Sequence, residues 1–288
     1  MFNLFEYHFL SKQRGLETPQ QVPDCTDSCS LFRFIILIFI VLSFACVGQG
    51  AVPVVLDLGN GVDVALNPFG AIEKISTPGT SLVARSQIFL QKQKGTIYQG
   101  AEYVPESELK ISSTKEETKV QGVLLGEQSQ NAEKVATFSV SYKKLANGVL
   151  GLTAEITYLT DASWQIPAQF TFTFPLPVDK APTESDYSGA SIVVVDHENT
   201  ERSYKVSDKV LAFTGYGFTS ASIEKNGRSV TVQPQSNTVL SLQDGRSFGA
   251  NYLKVSLAAR QPEWKSPFAF AAGTKQSFSG NVTFQSAK

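Results

Sequence analysis

The chain has 288 residues, with 25 Lys plus Arg against 26 Asp plus Glu, 42% apolar and 18% charged residues. Near-neutral charge excludes the basic stripe that nucleic-acid binding needs, and equally an acidic tail. The apolar share excludes wholesale disorder and lets a long chain bury a sizeable core.

The first predicted element is a targeting segment over residues 1–50. Its apolar run, Phe34–Ala45, follows Arg33 and precedes the small residues Gly48, Gly50 and Ala51. A helix needs roughly 20 apolar residues to cross a bilayer, so this run is short for a span and reads as a secretory signal peptide. The stretch before Arg33 is long and slightly acidic for a signal, which fits a start codon placed too far upstream. An uncleaved anchor and lipidation at Cys46 are the alternatives. Cys25, Cys29 and Cys46 are the three cysteines, and all fall in this segment. Cys25 and Cys29 have the spacing of a metal half-site without a second pair. The expectation is therefore an exported protein, periplasmic, cell-surface or secreted and of bacterial type. Its mature domain over 51–288 has no disulfide, and outside the targeting segment 22 charges of each sign remain.

Along 51–288 the dominant signal is alternation with period two. Val62, Val64 and Leu66 come first, then Ala136, Phe138, Val140 and Tyr142, and then Leu152, Ala154, Ile156 and Tyr158. Phe170, Phe172 and Phe174 follow, then Leu253, Val255 and Leu257, and last Phe278, Val282 and Phe284. Such spacing sets one face toward a core and the other toward water. Asn60-Gly61, Asn147-Gly148, Asn226-Gly227 and Asp244-Gly245 supply tight-turn chemistry between these runs. No long window carries a helical stripe outside the targeting segment. The fold class is all-β, a large antiparallel sandwich of roughly fifteen to twenty strands. The Pro-rich stretch over 175–189 is a long loop or a sub-boundary within it.

Three stretches carry a resemblance. Asp63-Val-Ala-Leu-Asn-Pro-Phe-Gly-Ala-Ile-Glu-Lys-Ile75 resembles the opening hairpin of galactose-mutarotase-like supersandwich domains. Phe172-Thr-Phe-Pro-Leu-Pro177 resembles their central strand and its proline-bearing loop, and Ala272–Phe284 their closing strand. The resemblance implies a carbohydrate-associated fold. It also implies that ring-opening in the mutarotases proper uses histidines and a carboxylate, whereas His197 is the single His after residue 50.

The residues themselves offer few reactive constellations. Asp196-His197-Glu198 could form an acid/base group, but adjacent strand residues face opposite ways. A solvated strand end running into the charged turn Thr200–Arg202 explains the cluster more simply. Glycoside hydrolysis needs facing carboxyls, and Glu155, Asp161, Glu184, Asp186, Asp196, Glu198 and Glu263 form no evident pair; Glu155 faces water by its register. Gly-x-Ser-x-Gly is absent, and Gly215-Tyr216-Gly217 precedes no helix that could hold a phosphate. Asn281-Val-Thr283 has the form of a glycosylation sequon inside a strand. No catalytic residue, metal site or cofactor is assigned. Aromatics that fall outside clean alternation are the candidate carbohydrate contacts: Trp264, Tyr216, Tyr187 and Tyr103, with Tyr98 in the same stretch as Tyr103. Trp164 shares the register of Phe170 and Phe172 and belongs to the core.

The leading functional expectation is thus an exported, non-catalytic sandwich that binds a polysaccharide or oligosaccharide. A glycan-active hydrolase, lyase or epimerase on the same fold is the runner-up, and a structural envelope or adhesion protein the third possibility. Neither nucleic acid nor a membrane span in the mature chain is expected.

Overall fold

The computed structural model describes residues 54–92, 95–99, 104–126, 132–176, 187–207, 215–261 and 266–285. The targeting segment over 1–50 therefore lies outside the described residues, as do 177–186 of the Pro-rich stretch. Residues 51–288 form one compact unit. In chain order its strands are β1 (Val54–Gly59), β2 (Val62–Leu66), β3 (Ile72–Thr77), β4 (Thr80–Gln91), β5 (Thr96–Tyr98), β6 (Lys110–Ser113) and β7 (Glu117–Leu125). Next come β8 (Lys134–Ala146), β9 (Val149–Tyr158), β10 (Ala162–Trp164), β11 (Ile166–Pro175), β12 (Ser191–Asp196) and β13 (Glu201–Lys205). The last are β14 (Gly215–Lys225), β15 (Arg228–Pro234), β16 (Thr238–Asp244), β17 (Tyr252–Ala259), β18 (Phe268–Phe270) and β19 (Lys275–Gln285). The only helical turns among the described residues are the short 3₁₀ segments Glu106–Glu108 and Gly245–Phe248, so no described helix is long and apolar enough to cross a membrane.

Seventeen strands share one hydrogen-bonded ladder, and β10 and β18 form a separate pair. The ladder divides at β14. Tyr216 and Phe218 of β14 pair with β16, whereas Ala221–Lys225 pair with β15. From the first half runs a sheet through β16, β17, β11 and β4 to β3, β2 and β1. From the second half runs another through β15, β19, β9, β8 and β7 to β6. All of these pairings are antiparallel, and the two sheets enclose one core.

The core follows the alternation. Phe138, Ile156, Phe172, Val255 and Phe284 are all buried, as is Trp164. Tyr142 of β8 meets Phe170 of β11 edge-on at 6.0 Å, which joins the sheets across the sandwich. Gly70, between β2 and β3, explains why glycine interrupts the opening hairpin. Its φ is +74°, and a Cβ there would lie 2.3 Å from Val120 Cγ1. Its carbonyl also accepts hydrogen bonds from Tyr142 Oη (3.1 Å) and Gln99 Nε2 (3.0 Å), so its position is fixed from several sides.

Turn chemistry holds at three of the four pairs. Asn60 and Gly61 have φ of 55° and 70°, and Asn226 and Gly227 of 51° and 70°, the primed-turn geometry that matches strand twist. Asn147-Gly148 closes β8 onto β9. Asp244-Gly245 is a correction. Asp244 caps the turn Gly245–Phe248, its carboxylate accepting from Arg246 N at 3.0 Å, so a longer connection joins β16 to β17. Asp followed by Gly suits a helix N-cap as well as a hairpin, and the partly buried Arg246 partner decides between them here.

Candidate functional site

In β11, β16 and β17 the residues at Phe170, Phe172, Leu240, Leu242, Val255 and Leu257 fill the core. Alternation sends the intervening side chains to the opposite face, and antiparallel register lines them up. One row runs Gln87–Thr171–Ser256–Ser241–Tyr216, from β4 across β11, β17 and β16 to β14. A second runs Phe89–Gln169–Ala258–Val239, and a third Thr173–Lys254–Gln243. The face is thus amide- and hydroxyl-rich, with aromatic rings near its margins. A cleft of about 160 Å³ opens over part of it, bounded further by Gln165 and the first residues of β11, Ile166 and Pro167, and by Ser266 and Phe268.

Tyr216 stands at the end of the first row and is 63% exposed. Its exposure has a backbone cause: the β14–β16 register slips between Tyr216 and Phe218, and Gly217 between them has φ +85°. The extra residue lets Tyr216 stay on the outer face opposite Ser241 while Phe218 returns to the core opposite Leu240. Gly215-Tyr216-Gly217 thus forms the start of a bulged strand.

Lys254 is the electrostatic centre of the cleft. It sits between Thr173 and Gln243 with Nζ 4.6 Å from the centroid of the Phe89 ring. Burial pushes its pKa down to about 8. Among the described residues no carboxylate pairs with it. The acid next to its cross-strand partner Gln243 is Asp244, which stands opposite Leu253 and is held by Arg246 at 2.6 Å. Beside Lys254 in the same face, Ser256 is 1% exposed and its Oγ has no hydrogen-bond partner. Thr171 Oγ1 donates to the Gln87 carbonyl at 3.2 Å.

The other expected contacts lie elsewhere. Tyr187 is 4% exposed and packs edge-on against Phe174 at 5.4 Å, so it is a core ring rather than a surface platform. Burial also raises its phenol pKa. Its N–H donates to the Pro175 carbonyl at 2.8 Å, which ties it to the end of β11. Trp264 and Tyr103 lie outside the described residues.

The cluster at Asp196 is a solvated turn. Asp196 Oδ1 accepts from the N–H groups of Glu198 (3.0 Å) and Thr200 (2.9 Å), and Arg202 lies 3.5 Å from Oδ2. His197 Nε2 lies 3.9 Å from Glu198, its side chain 78% exposed, beside a separate depression that includes Asn237 and Arg260. Glu155 pairs with Lys275 at 3.2 Å across β9 and β19, and Asp161 accepts from Ala272 N at 2.6 Å. Glu184, Asp186 and Glu263 lie outside the described residues. Among the described residues no group of three His, Cys, Asp or Glu could hold a metal ion.

Sequence reading missed Lys254, Gln169, Gln243, Ser256, Phe89 and Phe268. A signal existed, because Thr171 and Thr173 alternate with core Phe residues as Lys254 and Ser256 alternate with Leu253, Val255 and Leu257. What alternation cannot supply is strand order, and only the pairing of β11 with β17, far apart in sequence, makes one surface of these residues.

No family model matches the chain, and no curated protein matches it. Solved structures do. A galactose mutarotase-like protein from Lactobacillus casei is 9% identical, covering 81% of this chain and 100% of its own, with a TM-score of 0.51. A galactose mutarotase related enzyme from Lactobacillus acidophilus is 10% identical over 82% of this chain and 98% of its own (TM-score 0.49). A GalM/aldose epimerase homologue from C. elegans is 10% identical over 82% of this chain and 100% of its own (TM-score 0.49). At such identity the likeness concerns architecture: the chain has the galactose-mutarotase-like β-supersandwich fold.

Proposed function

We propose that this chain binds carbohydrate, a polysaccharide or oligosaccharide, in the cleft over the polar face of β4, β11, β17, β16 and β14. It acts in recognition rather than turnover, and it does so after export directed by the segment around Phe34–Ala45. The observation that carries the binding reading is the set of Gln165, Gln169, Ser241 and Gln243 lining the cleft beside the exposed ring of Tyr216. Sugars present hydroxyls at their edges and C–H groups on their faces, so they need amides and hydroxyls beside a flat ring. The name of the Lactobacillus casei protein, galactose mutarotase-like, agrees with a sugar ligand.

Affinity electrophoresis of the purified protein through a panel of polysaccharides tests the reading. Retardation by at least one is expected, weakened roughly 3- to 10-fold by Tyr216→Ala, as loss of one ring contact would give. No retardation by any polymer would overturn it, and full binding by Tyr216→Ala would move the site off this face.

One observation favours an enzyme. A lysine with its pKa near 8 can exchange a proton close to neutral pH. Incubating the protein with a polymer it retains should leave chain length and anomeric ratio unchanged; turnover lost in Lys254→Met would replace recognition with catalysis.

A further inference from the structure

Resting on that reading of the cleft, we propose that its ligand is an acidic sugar, and that Lys254 receives the sugar's carboxylate. A strand lysine normally sends its ammonium to water or to a carboxylate. Lys254 instead lies within β17, flanked by β11 and β16, with its Nζ against the face of Phe89. No described carboxylate neutralises it, and Asp244, which follows its cross-strand partner Gln243, is already bound by Arg246. A partly buried charge without a counter-ion is costly unless a ligand supplies one.

The surroundings define that ligand further. Gln243 and Thr173 flank Lys254 in its row, while Gln169 and Ser241 lie on the same face and line the cleft with it. They are uncharged groups suited to the second carboxylate oxygen and to hydroxyls. Among the described lining residues Lys254 is the sole cation, and none is anionic. One positive charge matches a monoanion. A sulfate or phosphate ester would call for a guanidinium fork or a second cation, and neither is present among the described lining residues. A uronic acid residue within a polysaccharide has the single carboxylate, the ring hydroxyls and the apolar face that the cleft complements.

The test compares polygalacturonate, the same polymer after chemical reduction of its carboxyls to primary alcohols, and a sulfated galactan, each titrated against the full chain at one ionic strength. The proposal expects polygalacturonate to bind roughly 10- to 100-fold tighter than its reduced form, the range of one charge-assisted hydrogen bond. Lys254→Met should remove that preference, whereas Lys254→Arg should keep most of it. Far-UV circular dichroism identifies any variant that fails to fold, and the comparison of polymers with the native protein stands without variants. Equal binding of the native and reduced polymers overturns the proposal, as does an unchanged preference in folded Lys254→Met. Tight binding of the sulfated galactan alone overturns the carboxylate assignment. Binding of neutral polymers only leaves the carbohydrate reading standing and removes this one, whereas binding of none removes both.

Discussion

At the scale of single residues, burial decides both the strongest contributions to stability and the largest cost. Phe172 is buried between the sheets, its ring 5.1 Å from Phe170. Phe172→Ala should cost about 3–5 kcal/mol, because the cavity adds to the lost transfer energy; urea denaturation measures it. Lys254 acts in the opposite direction. Its contact with Phe89 supplies only about 0.5–1 kcal/mol, and burial still holds its pKa near 8 against an ordinary 10.5. Below pH 8 both folded and unfolded chains carry the proton, so the full penalty applies. Between pH 8 and 10.5 the unfolded state binds more protons, so stability contributed by this site rises with pH. Tyr142, Tyr158 and Tyr187 have raised pKa values and oppose the trend once the unfolded phenols ionise near pH 10. The useful window is therefore pH 7 to 9.5. Lys254→Met should be more stable than the parent at pH 7 by about 1–3 kcal/mol, with the gap narrowing toward pH 9.5. A constant gap would mean that the lysine is not desolvated.

At the scale of strands and turns, what the sequence made legible was whatever depends on near neighbours. Alternation marked Ala136–Tyr142 and Leu152–Tyr158, and Asn-Gly marked the turn that joins the strands carrying them, because side-chain period and turn geometry are local properties. Asp244-Gly245 misled because the same dipeptide serves a hairpin or a cap, and the choice belongs to Arg246 and its ion pair. Tyr216 stood out as an aromatic outside clean alternation, although the bulge beside it was not legible. Gly217 tests that device cleanly. A Cβ there would meet nothing within 4 Å, so the cost of Gly217→Ala is the backbone's alone. At φ +85° it should destabilise by about 1–2 kcal/mol. If the bulge aims Tyr216, carbohydrate affinity should also fall by more than the stability loss explains. By contrast, Gly70→Ala meets both a positive φ and Val120, and it should destabilise by more than Gly217→Ala in the same melts.

At the scale of the whole molecule, strand count and fold class followed from pattern, while the cleft did not. The polar faces of β11 and β17 are separated by some eighty residues of chain, and nothing local announces that Thr171 lies opposite Ser256. Tyr187 shows the converse failure: beside a Pro-rich stretch it has the company of a loop residue, yet long-range packing against Phe174 buries it. The same long-range packing makes a prediction about autonomy. From Leu56 to Phe284, described residues build a large main core of their own within 51–288. That stretch has no cysteine, and its ionisable groups balance at 22 of each sign. Its stability must therefore come from sheet hydrogen bonds and apolar burial, with neither cross-links nor net charge contributing. A protein beginning at Ala51 should give a sheet-dominated far-UV spectrum and a single cooperative melt. The midpoint should be unchanged by dithiothreitol and should move little between low and moderate salt, since screening has no net repulsion to relieve. A melt that requires residues 1–50, or a midpoint lowered by reductant, would show that the core is completed from outside this unit.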